Sequence, residues 1–150
     1  VLGGVKSVAI HDSHQVTYDD FATHFFLQEQ DLGKNRSQVT QPHLAELNPY
    51  VPVRVLDPTR ALAVDDLKQF QVVVLTNSST QQQIEFGKYC HQNGIKFLVA
   101  ETRGIFGQIF CDFGKNFEVV DPDGEQPLSA MISAINNDEN GIVTTLDEQR

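Results

Sequence analysis

Long hydrophobic runs are missing from this 150-residue chain: no apolar stretch nears the roughly 20 residues that a membrane-spanning helix needs, and no charged-then-apolar leader opens it. Basic residues are scarce too. Eleven Lys and Arg stand against twenty Asp and Glu, a net charge of -9, which repels phosphate backbones and anionic lipid and makes nucleic acid and membranes poor partners. Cysteine is limited to Cys90 and Cys111, with no CxxC spacing, so neither a disulfide framework nor a zinc site is indicated. Both are expected to be reduced, buried thiols, and the chain is expected to be cytoplasmic and nuclear. Internal repeats and low-complexity segments are likewise lacking, and Gln81-Gln82-Gln83 is a brief polar patch of no evident significance. A chain of this length can bury about 70% of its unfolded surface, enough for one core and an appendage.

What is present alternates between strand and helix signals. Val1-Leu2-Gly3-Gly4 looks like a helix's last turn and its glycine cap, so a segment upstream is expected to be missing. Val5–Ile10 reads as a strand; Phe21, Phe25 and Phe26, then Val39, Leu44 and Leu47, recur at helix spacing; Val51–Val55 alternates as a strand. Asp65, Asp66 and Glu46 are expected to be surface charges or caps. Val72–Leu75 is short and β-branched, which favours a central strand. Asn77-Ser78-Ser79-Thr80 offers capping side chains to a helix whose apolar side carries Ile84, Phe86, Tyr89 and Cys90. Ile95–Ala100 then reads as a parallel strand buried on both faces. Alternation of this kind implies a sheet covered by helices on both faces. After Gly114 the texture changes: Asp121-Pro122-Asp123-Gly124 is a turn signal, and Met131–Ile135 with Ile142–Leu146 suits a hairpin around Asn136–Gly141.

The most informative stretch is FLVAETRGIFGQIFCDFG, Phe97 to Gly114, where an apolar strand meets a polar elbow and a second, aromatic-rich strand. Glu101-Thr102-Arg103-Gly104 lies beyond the strand's carboxyl end, where open α/β sheets place ligands and partners. With Gly124-Glu125-Gln126-Pro127-Leu128-Ser129-Ala130-Met131 further on, the chain resembles the N-terminal part of the ubiquitin-activating enzymes, over essentially its whole length. That resemblance implies a Rossmann-like, ThiF-type adenylation fold lacking its first strand over residues 1–116, followed at 117–150 by the start of a small β-rich domain, the first catalytic-cysteine half-domain. It also implies a parent enzyme that adenylates ubiquitin with ATP and magnesium, captures it as a cysteine thioester and passes it to a conjugating enzyme.

Enzymes of this family carry two related adenylation halves, one of which has lost its nucleotide ligands. The active half places an acid for the ribose after its second strand, then Asn-Arg-Gln-Phe, then a Lys-x-Lys pair for phosphates, and later Asp-Asn-x-Asp-x-Arg, whose carboxylates hold Mg²⁺. Here Asp12 stands for the ribose acid, Ala22-Thr23-His24-Phe25 keeps only the packing phenylalanine, Lys34-Asn35-Arg36 keeps two positive charges, and Thr76–Gln81 keeps the asparagine without either carboxylate. The resemblance therefore implies the inactive half, packed against an active adenylation half of the same enzyme, with no cofactor expected on this segment. Asp12, Lys34 and Arg36 remain the candidates for a residual nucleotide site, the alternative reading; a non-catalytic subunit serving another ubiquitin-like modifier is a further one.

Other residues draw attention on chemistry alone. His11, Asp12 and His14 lack a further ligand for a metal, and Cys90 beside His91 lacks nucleophile–base geometry, because adjacent helical residues point about 100° apart. Phe106, Phe110 and Phe113 are expected to fill a core, with a partner-binding stripe as the alternative. Arg103, with Gly104 and Phe106, is the candidate partner surface; otherwise Arg103 ties the elbow to nearby carbonyls.

Overall fold

A computed structural model describes residues 1–121, 124, 130–135 and 143–147. The chain divides into two compact units, Val1–Gly114 and Lys115–Arg150.

The first unit is built from β-α-β crossovers. β1 (Val8–Ile10) pairs in parallel with β2 (Val53–Val55), Val8 opposite Val53, and α1 (Arg36–Leu47) connects them. Asn35 starts α1 by accepting a hydrogen bond from the Gln38 N–H, so one orphan donor of the first turn is satisfied. The unit's second crossover runs from β3 (Val72–Thr76) through α2 (Thr80–Gln92) to β4 (Lys96–Arg103), with Val73 opposite Phe97 in parallel register. Ser79 caps α2 through the Gln82 N–H. β5 (Phe106–Asp112) returns antiparallel along β4, Val99 facing Phe110. Among the described residues, β1 and β3 each keep one edge without a strand partner.

Phe86 and Cys90 of α2 pack with Val73, Leu75, Ile95, Phe97, Val99 and Leu67, the last from a 3₁₀ turn over Val64–Gln69. This cluster covers one side of the sheet. Val73 and Leu75 are buried while Val72 and Val74 are exposed, and in β4 Phe97 and Val99 are buried while Leu98 and Ala100 are only half-buried. The expectation of burial on both faces is thus corrected: a continuous apolar run makes a strand compatible with two covers, but α2 and the 3₁₀ turn supply one. Gly87 lies where α2 crosses Phe97; an added Cβ would sit 3.2 Å from the ring's Cε1. Gly87→Val should therefore lower the stability of the full chain by about 1–3 kcal/mol in urea unfolding, overpacking outweighing the gain in backbone entropy.

The helix expected around Phe21, Phe25 and Phe26 is absent. A 3₁₀ turn spans Tyr18–Ala22 and stops at Thr23 in a non-helical conformation. Asp20 accepts the Thr17 N–H and hydroxyl at 2.8 and 3.0 Å, so the local box starts a turn with no buried stripe to extend it. Phe25 is 92% exposed; the packing aromatic is Phe26, stacked on His43 at 5.6 Å. At the start of the chain, Val1–Gly4 closes a turn through the Gly4 N–H and the Val1 carbonyl, and the strand begins only at Val8.

In the second unit β6 (Ala130–Ile135) pairs antiparallel with β7 (Val143–Asp147), as the hairpin reading required. Its loop, Ile142, Glu125–Ser129 and two positions of the Asp121–Gly124 turn lie outside the described residues. Asp121 accepts the Gly124 N–H.

Candidate functional site

Asp12, Lys34 and Arg36 come together where the chain leaves β1 and enters α1. Asn35 Nδ2 donates to the carbonyls of Asp12 and His14 at 2.7 and 3.2 Å, clasping the post-β1 loop to the helix start. Arg36 lies between two acids: Nε and Nη2 reach Asp12 Oδ2 at 2.9 and 2.8 Å, and Nη1 reaches Asp20 Oδ1 at 2.7 Å. Asp12 also accepts the His14 N–H at 2.9 Å, with His14 Nδ1 at 3.0 Å. It is a half-buried member of a network, not the solvated strand-end carboxylate expected. The Thr17 N–H first, and the Arg36 guanidinium next, pull the Asp20 carboxyl down to about 2. Lys34 Nζ donates to Asp31 at 3.1 Å, and Asp31 is itself buried.

Three carboxylates thus stand on two cations. A triphosphate needs unspent positive charge and open donors, and here both cations already face carboxylates of the same chain. The residues do not fit ATP with magnesium. Where an active half would carry its magnesium carboxylates, the β3–α2 loop brings Asn77, Ser78 and Ser79, and among the described residues no group of three His, Cys, Asp or Glu is spaced to hold a metal ion.

The elbow beyond β4 is a tight hairpin. Gly104 has φ +62° and Ile105 follows before β5 begins at Phe106, the pattern of a type II′ turn, whose twist suits the flanking strands. Ile105 is 94% and Phe106 75% exposed. Arg103 is 74% exposed and donates to Glu101 Oε2 at 3.1 Å, not to carbonyls. Phe106 and Phe110 lie open on β5 and Phe113 is half-buried, so the expected aromatic core is corrected. β5 runs along the outer edge of β4, where Phe110 lines a cavity beside Phe97 and Val99 without being covered by α2.

Cys90 is buried, and desolvation, with Asp112 nearby, pushes its thiol up to about 11, which leaves it inert. Cys111 is exposed, against expectation, because strand alternation turns it away from α2. His91 Nδ1 lies 2.9 Å from Asp112 Oδ2. Asp66 accepts the Ala63 N–H and pairs with Arg60 at 2.7 Å, as a capping acid should. Sequence reasoning missed Asp20, although Thr17-x-x-Asp20 is a capping-box pattern. It also passed over Gln83, whose Nε2 donates to Glu101 at 2.6 Å.

A parallel β-α-β sheet with an antiparallel return narrows the fold, and comparison decides it: the model of the ThiF family matches residues 1–135. The chain belongs to the ThiF family. Its relatives include ubiquitin-like modifier-activating enzyme 1 of Rattus norvegicus and of Homo sapiens, each 53% identical over 150 residues, which is 100% of this chain and 14% of theirs. Ubiquitin-activating enzyme E1 1 of Schizosaccharomyces pombe is 46% identical over 149 residues, 99% of this chain and 14% of that protein. The ThiF chain therefore spans about a seventh of the length of the curated relatives it matches, and the match lies in their N-terminal region. Among solved structures, E. coli MccB with MccA-N7isoASN superposes with a TM-score of 0.54 at 19% identity, covering 65% of this chain and 29% of that one. That likeness shows the ThiF adenylation fold.

Proposed function

We propose that this chain is the non-catalytic adenylation half of a ubiquitin-activating enzyme, joined to the start of its first catalytic-cysteine half-domain. Its work is to support and dock. The observation that carries this is Arg36 held between Asp12 and Asp20, with Lys34 on Asp31: the charges a phosphate clamp would need are neutralised from within. In the full enzyme, ATP and magnesium belong to the active half, against which this half packs; ubiquitin and conjugating enzymes are partners of the whole, in cytoplasm and nucleus. Arg103, Gly104 and Phe106 at the hairpin tip form its contact surface.

Support comes from the relatives' names and from the exposed tip, where Ile105 and Phe106 stand open next to an exposed arginine. Calorimetry with ATP and Mg²⁺ on the full chain should show no saturable heat, Arg36→Ala should not change that, and ubiquitin-dependent ATP–pyrophosphate exchange should stay at background. Saturable ATP binding abolished by Arg36→Ala would favour the residual nucleotide site instead.

A further inference from the structure

Glu101 is the most enclosed carboxylate at the strand ends, its side chain 7% exposed. It sits in β4 two residues before the tip arginine, and its oxygens serve the β3–α2 loop and α2 on one side and Arg103 of its own strand on the other. Oε1 takes the Ser78 N–H at 3.1 Å, the Ser78 hydroxyl at 3.4 Å and Gln83 Nε2 at 2.6 Å. Oε2 takes Arg103 Nη2 at 3.1 Å. Gln83 also donates to the Ser78 carbonyl at 3.2 Å, closing a ring around the loop. The residue before Ser78, Asn77, has φ +49°, and among the described residues it is the single non-glycine with positive φ. Such a backbone persists where its surroundings over-determine it. Facing Glu101 are Arg103 from its own strand and the neutral Ser78 and Gln83 from the β3–α2 loop and α2. Burial opposes the charge, but Arg103 and the Ser78 N–H outweigh it and hold the carboxyl below the usual range.

We propose that Glu101 is a positioning residue whose carboxylate ties the β3–α2 loop and the β4–β5 tip into one unit, fixing the pose in which Arg103, Ile105 and Phe106 meet a partner. The tie replaces what bound ligands would do for an open strand-end crevice: it organises the loop from inside the chain. Its geometry stands alone; the role of the tip in docking rests on the scaffold reading above.

The test is residue-resolved hydrogen exchange by NMR on the full chain. Glu101→Gln should speed exchange of the Ser78 amide roughly tenfold, the loss expected when a hydrogen bond to a charged acceptor goes, and should move the Arg103 Nη–H signals to the position of a free arginine. Phe97 and Val99 amides should keep their protection. An unchanged Ser78 rate overturns the proposal, and so does a rise that extends to Phe97 and Val99, since that would mark Glu101 as a general stability residue. A measurement on the unmutated chain decides the matter should the variant fail to fold. There the Ser78 amide proton should follow one acidic titration with a midpoint below the ordinary glutamate range, and a flat response overturns the tie. ATP binding by the same chain would sink the scaffold reading while leaving these rates untouched.

Discussion

Phe97→Ala should cost the full chain about 3–5 kcal/mol, read as a shifted midpoint in urea unfolding. Phe97 is 1% exposed and packs with Phe86, Cys90 and Val99, and its ring occupies the space a side chain at Gly87 of α2 would need. Cavity formation at this spot therefore loses contacts from strand and helix at once. Relaxation offers little relief, because Gly87 has no side chain to move into the space. The effect should appear in the midpoint with the slope of the transition unchanged. A loss below about 1 kcal/mol would mean that the α2–β4 contact does not organise the core.

Arg36→Met should lower stability by about 1–3 kcal/mol, the range for leaving hydrogen-bonded carboxylates without their partner. The upper range for fully buried pairs does not apply, since the Arg36 side chain is 26% exposed and solvent screens part of the interaction. Acid titration separates this from simple loss of packing. Asp20 titrates near 2 in the folded chain against an ordinary value of 3.8. A depressed carboxylate pKa gives stability that is complete above the ordinary value and is lost as pH falls toward the folded one. In Arg36→Met the Asp20 midpoint should rise, although the Thr17 N–H keeps it below the ordinary value. A midpoint that does not move would show that Arg36 contributes nothing to the acid's charge.

The order of strands and helices in the first unit was legible because each element carried a local signature. Ser79 before α2 and β-branched Val72–Leu75 agree with each other and with the observed boundaries. The expected helix at Phe21–Phe26 failed because three phenylalanines at helical spacing say nothing about whether a surface exists to receive them. Expected site residues fared unevenly for a related reason. The meeting of Asp12, Lys34 and Arg36 followed from family pattern, but their neutralisation depended on Asp20 and Asp31, which capping turns bring in. Glu101 was visible only as one letter of a polar elbow; its enclosure by Ser78 and Gln83 arises from the parallel register that sets β3 beside β4.

The two-residue turn at Gly104-Ile105 has no slack, and this governs how the segment tolerates change in length. Removing one residue there would slip β5 by a single step against β4, and a single step exchanges the faces of a strand. Phe110 and Asp112 would turn away from α2, and His91 would lose its carboxylate; Ile109 and Cys111 would point toward the helix in their place. A deletion at the most exposed point of the hairpin would thus rewrite the sheet's chemistry several residues away, whereas a point substitution of Ile105 would leave it intact.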